Sequence, residues 1–141
     1  MANEVVINML IGLQNEGIAT CIECKQTKEF PSPYEYFLYR LDKRPIVRWY
    51  IREFNELFSV AKTKPAGDAH DEVYRQIASL AYQKKGFYVV GAAMALTIEE
   101  ELGRQALIQT VEGGYQAFAD AYNSVADEEM RIQWSPGLES N

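Results

Sequence analysis

Among its 141 residues the sequence has one histidine, two cysteines and five prolines. A single imidazole excludes any chemistry that one copy of these residues would have to perform with two. Two cysteines cannot supply a disulfide framework, and their spacing, Cys21-x-x-Cys24, suits a reducing interior. The opening Met1-Ala2-Asn3-Glu4 has no basic region ahead of an apolar stretch, and no small-residue cleavage site follows, so a secretory signal is not expected. The longest weakly polar run covers residues 86–98, between Lys84-Lys85 and Glu99-Glu100-Glu101. At about 13 residues it is too short to span a bilayer and reads as a core helix. Basic residues are the minority charge, fourteen against twenty acidic ones, for a net charge of −6. Such a surface repels phosphate backbones unless its cations cluster. A cytoplasmic protein that binds neither membrane nor nucleic acid is the expectation, on the premise that the true N-terminus is present.

What the sequence does have is apolar content, 48%, arranged at helical spacing. Val6, Leu10, Leu13, Gly17 and Cys21 form one stripe, and Ile7, Ile11, Ile18 and Ile22 form a second beside it. An arc that wide predicts a helix over residues 3–24 buried on more than one side. Ser32-Pro33-Tyr34-Glu35 carries the capping signals of a second helix, ending near Leu41. Pro45 opens a third, with Val47, Ile51, Phe54 and Phe58 on its apolar face. Asp68 or Asp71 caps a fourth through Val73, Ile77 and Leu80. The most hydrophobic helix covers residues 87–102 and stops at Gly103. A short helix to Gly113-Gly114 and a last one from Tyr115, striped with Phe118, Ala121 and Tyr122, complete the series. The fold expected is a compact all-α domain of six or seven helices over residues 1–129, with an irregular tail over 130–141.

Several residues could carry chemistry. Glu16 lies in the middle of an apolar helix, flanked by the small residues Gly12, Ala19 and Thr20 on its own face. A carboxylate there needs a metal, an arginine or solvent to compensate its charge, unless it points to the polar side. Cys21 and Cys24 share a helix face but fall near the helix C-terminus, where the dipole disfavours a thiolate, so they read as structural thiols. His70, among Asp68, Asp71 and Glu72, reads as part of a capped helix start. Glu99-Glu100-Glu101 reads as a solvated last turn. Arg40, Lys43, Arg44 and Arg48, interleaved with Tyr39 and Trp49, make too small a basic patch for nucleic acid.

Asn15-Glu16-Gly17-Ile18-Ala19 resembles the Asn-Glu-Gly-aromatic-Ala segment of the gluzincin aminopeptidases. The run Tyr88-Val89-Val90-Gly91 through Met94, Ile98-Glu99 and Leu102-Gly103, with Phe118 and Tyr122 beyond, is similar to the C-terminal helices of uncharacterised zinc peptidases of that superfamily. The resemblance implies zinc, a peptide substrate, and Glu16 as the third zinc ligand downstream of a His-Glu-x-x-His helix. It also suggests Tyr88 as an oxyanion donor, against the plainer reading of an aromatic core residue. In an intact member, zinc-bound water would attack a peptide carbonyl with the motif's glutamate as base. This sequence contains no His-Glu-x-x-His. The chain is therefore expected to hold no zinc and hydrolyse no peptide by itself, as the helical portion of a peptidase whose N-terminal zinc-binding segment was truncated or lost. The alternative is a non-catalytic all-α interaction domain with an exposed apolar groove beside Glu16, covered by a partner helix or by a homodimer.

Overall fold

The helical spacing is realised almost throughout. The computed structural model describes residues 2–26, 43–63 and 68–134. Its elements are α1 (Ala2–Gln26), α2 (Arg44–Thr63), α3 (Asp68–Ala78), α4 (Gly86–Leu102) and α5 (Arg104–Val125). A π-helical turn, Ser79–Gln83, follows α3, and a 3-10 turn, Glu128–Met130, follows α5. No strand occurs among the described residues, so the all-α class holds. Five α-helical elements occur among the described residues, where six or seven helices were expected over the chain. The break expected at Gly113-Gly114 is present: within α5, Gly114 takes the non-helical φ 79° and ψ −167° and divides the element into two helical stretches. The helix expected from Ser32 lies outside the described residues.

Two kinds of helix divide the labour. α1 and α4 are apolar nearly all round, and each buries side chains on several faces. They form the centre, packed against each other along much of their length, with α5 against both. α2 and α3 are amphipathic, each with a single apolar stripe: α2 covers the centre with Val47, Ile51, Phe54 and Phe58, and α3 packs on α2 and the π-helical turn. Phe54 stacks on Phe87 at 5.8 Å between centroids, which joins α2 to the start of α4. By length and composition α1 is apolar enough over Glu4–Ile22 to cross a bilayer, and half of that window is buried in the fold. A core helix passes the same test; the run read from the sequence was shorter because Gln14 and Glu16 interrupt this one.

Gln14 is buried, and its Nε2 donates to the Thr110 carbonyl at 2.9 Å, linking α1 to α5. Thr110 in turn donates its hydroxyl to the Leu107 carbonyl at 2.6 Å. Both polar side chains are thereby satisfied inside the core.

The turn into α4 has an unusual arrangement. Lys85 takes the left-handed conformation, φ 64°, while the glycine stands one residue later. Gly86 is placed by packing instead: a Cβ there would lie 2.6 Å from the Leu80 carbonyl oxygen and 2.9 Å from the Phe54 ring. Close approach claims the glycine, so the left-handed residue is a lysine, at a cost of about 1–2 kcal/mol.

Beyond α5 the chain turns back over α2 and α5. Ala126, Asp127 and Arg131 all have extended backbone, and Met130 and Ile132 are buried. Residues 131–134 carry no regular secondary structure but are pinned by side chains from both helices.

Candidate functional site

The α1–α4 crossing is built on two glycines. A Cβ on Gly91 would lie 2.6 Å from the Gly17 Cα, and one on Gly17 would overlap the Gly91 backbone. Backbones touching there bring the residues beside the crossing within reach of each other. Glu16 and Tyr88, both half-buried, are two such residues. Tyr88 loses water to its surroundings, which pushes its phenol above the ordinary range, and the Glu16 carboxylate and Tyr82 push it further in the same direction. Burial and a nearby negative charge both disfavour the phenolate, so at neutral pH Tyr88 keeps its proton. Lys85 places its ammonium 5.6 Å from the Tyr88 ring centroid, a cation–π arrangement. Glu16 itself lies on a boundary of α1, between exposed Asn15 and Ala19 and buried Gly17 and Thr20.

The other sequence candidates are dispersed. Cys21 is buried and lines an apolar groove of about 270 Å³ with Ile18, Ile22, Leu107, Ile108 and Val111. Glu99 and Arg104 stand at its edge. Ile18, Cys21 and Ile22 are roughly 140–240° around α1 from Glu16, at 100° per residue, so the groove lies on the opposite face from the carboxylate. The side chains of Cys24 and His70 lie outside the described residues, as does Arg40. Glu100 and Glu101 are exposed. Arg44 pairs with Asp127 and, at 3.3 Å, with Glu129, and Arg48 pairs with Glu129 at 3.3 Å. These cations of the Pro45 turn are thus engaged by carboxylates of the same chain.

The donor set decides how well zinc fits. Among the described residues no three His, Cys, Asp or Glu side chains converge. Glu16 offers one carboxylate with a phenol beside it, whereas a zinc peptidase needs three protein ligands. A polar cleft of about 420 Å³ between α2 and the π-helical turn brings Glu53 and Glu56 together with Gln76, Ser79 and Lys84. It contributes neither imidazole nor thiolate. The described residues therefore do not by themselves fit a zinc ion.

Sequence reasoning missed Asn55 and Asn123, which hold residues 131–133 by their backbone. No local signal marks them, because an asparagine on a helix reads as solvated surface.

No curated protein and no solved structure matches the chain. A family model described as "Putative zinc dependent peptidase (DUF5700)" matches residues 1–130. That match takes in all five helices and both partners of the Glu16–Tyr88 pair. The chain belongs to this family.

Proposed function

We propose that this chain is the helical portion of a gluzincin-like zinc peptidase and is catalytically incomplete on its own. In this reading Glu16 is the third metal ligand and Tyr88 the phenol that donates to a developing oxyanion. The observation that supports it is the electrostatic influence of Glu16 on the half-buried Tyr88 phenol, beside the close Gly17–Gly91 crossing. Zinc, when held by an intact site, would supply the Lewis acid; the two imidazoles must come from a His-Glu-x-x-His segment that these 141 residues do not contain. What these residues do is narrower. Glu16 contributes a half-buried carboxyl group, and Tyr88 keeps its proton at neutral pH and can donate it as a hydrogen bond.

The test is zinc binding, with and without a fused helix carrying His-Glu-x-x-His. The chain alone should bind no zinc tightly. The fused protein should bind one equivalent, and Glu16→Gln should weaken that binding by more than about 100-fold, since losing a ligand costs more than losing a group that only supports one. Micromolar zinc bound by the chain alone, or indifference of the fused protein to Glu16→Gln, would overturn the reading.

The apolar groove between α1 and α5 favours a second reading, a non-catalytic interaction domain. Ile22, Ile108 and Val111 are 44%, 47% and 58% exposed there. Sedimentation that shows a stable dimer, dispersed by Ile108→Asp but not by Glu16→Gln, would favour it.

A further inference from the structure

Residues 131–133 are held as a peptide is held. In an extended chain, the N–H and C=O of one residue point to one edge, and the flanking C=O and N–H point to the other. Asn123, on α5, takes the first edge: its Nδ2 donates to the Ile132 carbonyl and its Oδ1 accepts from the Ile132 N–H, both at 2.9 Å. Asn55, on α2, takes the second. Its Nδ2 donates to the Arg131 carbonyl at 3.0 Å, and its Oδ1 accepts from the Gln133 N–H at 2.8 Å.

Two side-chain amides thus do what neighbouring strands do in a sheet. Lys62 Nζ adds a bond to the Gln133 carbonyl at 3.0 Å, and the Tyr122 hydroxyl donates to the Met130 carbonyl at 2.7 Å. All these contacts read main chain, so they do not depend on which residues the segment carries. Selectivity is left to three side chains. Met130 and Ile132 are 7% and 2% exposed, and Trp134 meets the Tyr115 ring edge-on at 6.5 Å.

We propose that the channel between α2 and α5 is a binding site for an extended peptide with an aliphatic residue two places before an aromatic one. The chain's own residues 130–134 occupy it in cis. The mode is that of strand addition, in which main-chain bonds give affinity and alternate side chains give specificity. The ion pairs that lead into the segment, Arg44–Asp127 and Arg44–Glu129, are between half and two-thirds exposed. This inference does not depend on zinc or on the role of Glu16, and it is measured without either.

The probe is a fluorescein-labelled peptide of residues 128–136, followed by anisotropy with full-length chain. A cis segment competes at millimolar effective concentration, so the unaltered chain should bind the probe weakly. Ile132→Asp removes the cis anchor and leaves the channel, and should tighten binding at least tenfold. Adding Asn55→Ala and Asn123→Ala should abolish that gain, and a probe with Asp for Ile132 should not bind. Equal binding by the unaltered chain and Ile132→Asp, no binding by either, or indifference to the asparagines would overturn the proposal. Hydrogen exchange of the unaltered chain tests it without any variant. The Ile132 and Gln133 amides should exchange by local opening, at least tenfold faster than the amides of α4; exchange only with global unfolding would overturn it.

Discussion

The Gly17 and Gly91 backbones touch where α1 crosses α4, so closely that neither position has room for a methyl group. Replacing either with alanine must force the two central helices apart. Gly17→Ala and Gly91→Ala are each expected to destabilise the fold by about 3 kcal/mol or more, at or beyond the usual range for overpacking. Urea denaturation checks this. Gly103→Ala is a different case: nothing lies near its Cβ, but φ 95° with ψ 161° is a backbone region essentially reserved for glycine, so a loss of about 1–3 kcal/mol should come from backbone strain alone.

Lys85 and Gly86 should respond in opposite senses. Lys85→Gly relieves the left-handed lysine and is expected to stabilise by up to about 1 kcal/mol. Gly86→Ala pushes into the Leu80 carbonyl and the Phe54 ring and should destabilise. A pair of thermal melts separates the two effects. Equal responses would mean that the turn is not divided between strain and packing in this way.

Tyr122 makes the fold sensitive to alkali. Burial pushes its phenol up to about 12, with Arg44 lowering it and Asp127 raising it more weakly. In the unfolded chain the group titrates near 10. Between these values the unfolded state has released the proton that the folded state retains, so stability falls as pH rises. The stabilisation is complete below pH 10 and is lost toward pH 12, by on the order of 2–3 kcal/mol. Tyr122→Phe should flatten that part of the stability profile measured by denaturant unfolding.

Glu16 should be legible in the titration of Tyr88. Glu16→Gln removes the carboxylate that works with burial to hold the phenol up, so the Tyr88 pKa should move down toward its ordinary value. Carbon-13 NMR of ring-labelled tyrosine, assigned with Tyr88→Phe, reads this directly. An unmoved Tyr88 resonance would separate the two residues and remove the pair on which the peptidase reading stands. The measurement needs no metal and no substrate.

The helices were readable because burial repeats at helical spacing, and α1 and α4 announce themselves by being apolar on nearly every face. The break inside α5 was readable as well: Gly113-Gly114 signals a stop, and Gly114 leaves helical geometry there before a second helical stretch runs on to Val125. Glu16 and Tyr88 stand out in the sequence separately, one as a carboxylate among small residues and one within a helical run. Their nearness rests on the meeting of Gly17 with Gly91, a contact across 74 positions that no spacing rule contains. The asparagine clamp was hidden for the same reason. Asn55 bonds residues 76 and 78 positions away, so its neighbours on α2 say nothing of its purpose.

The bond from Gln14 to the Thr110 carbonyl has a further consequence. A helix with apolar residues on nearly every side can turn about its own axis and still bury oil against oil, since the hydrophobic effect has no direction. Gln14 can bond the Thr110 carbonyl at only one rotation of α1. Slipping the helix by one residue would strand that amide in the core and swing Glu16 about 100° away from Tyr88. One amide thus serves as the key that sets the angle of α1, and with it the direction in which the carboxylate two residues later looks.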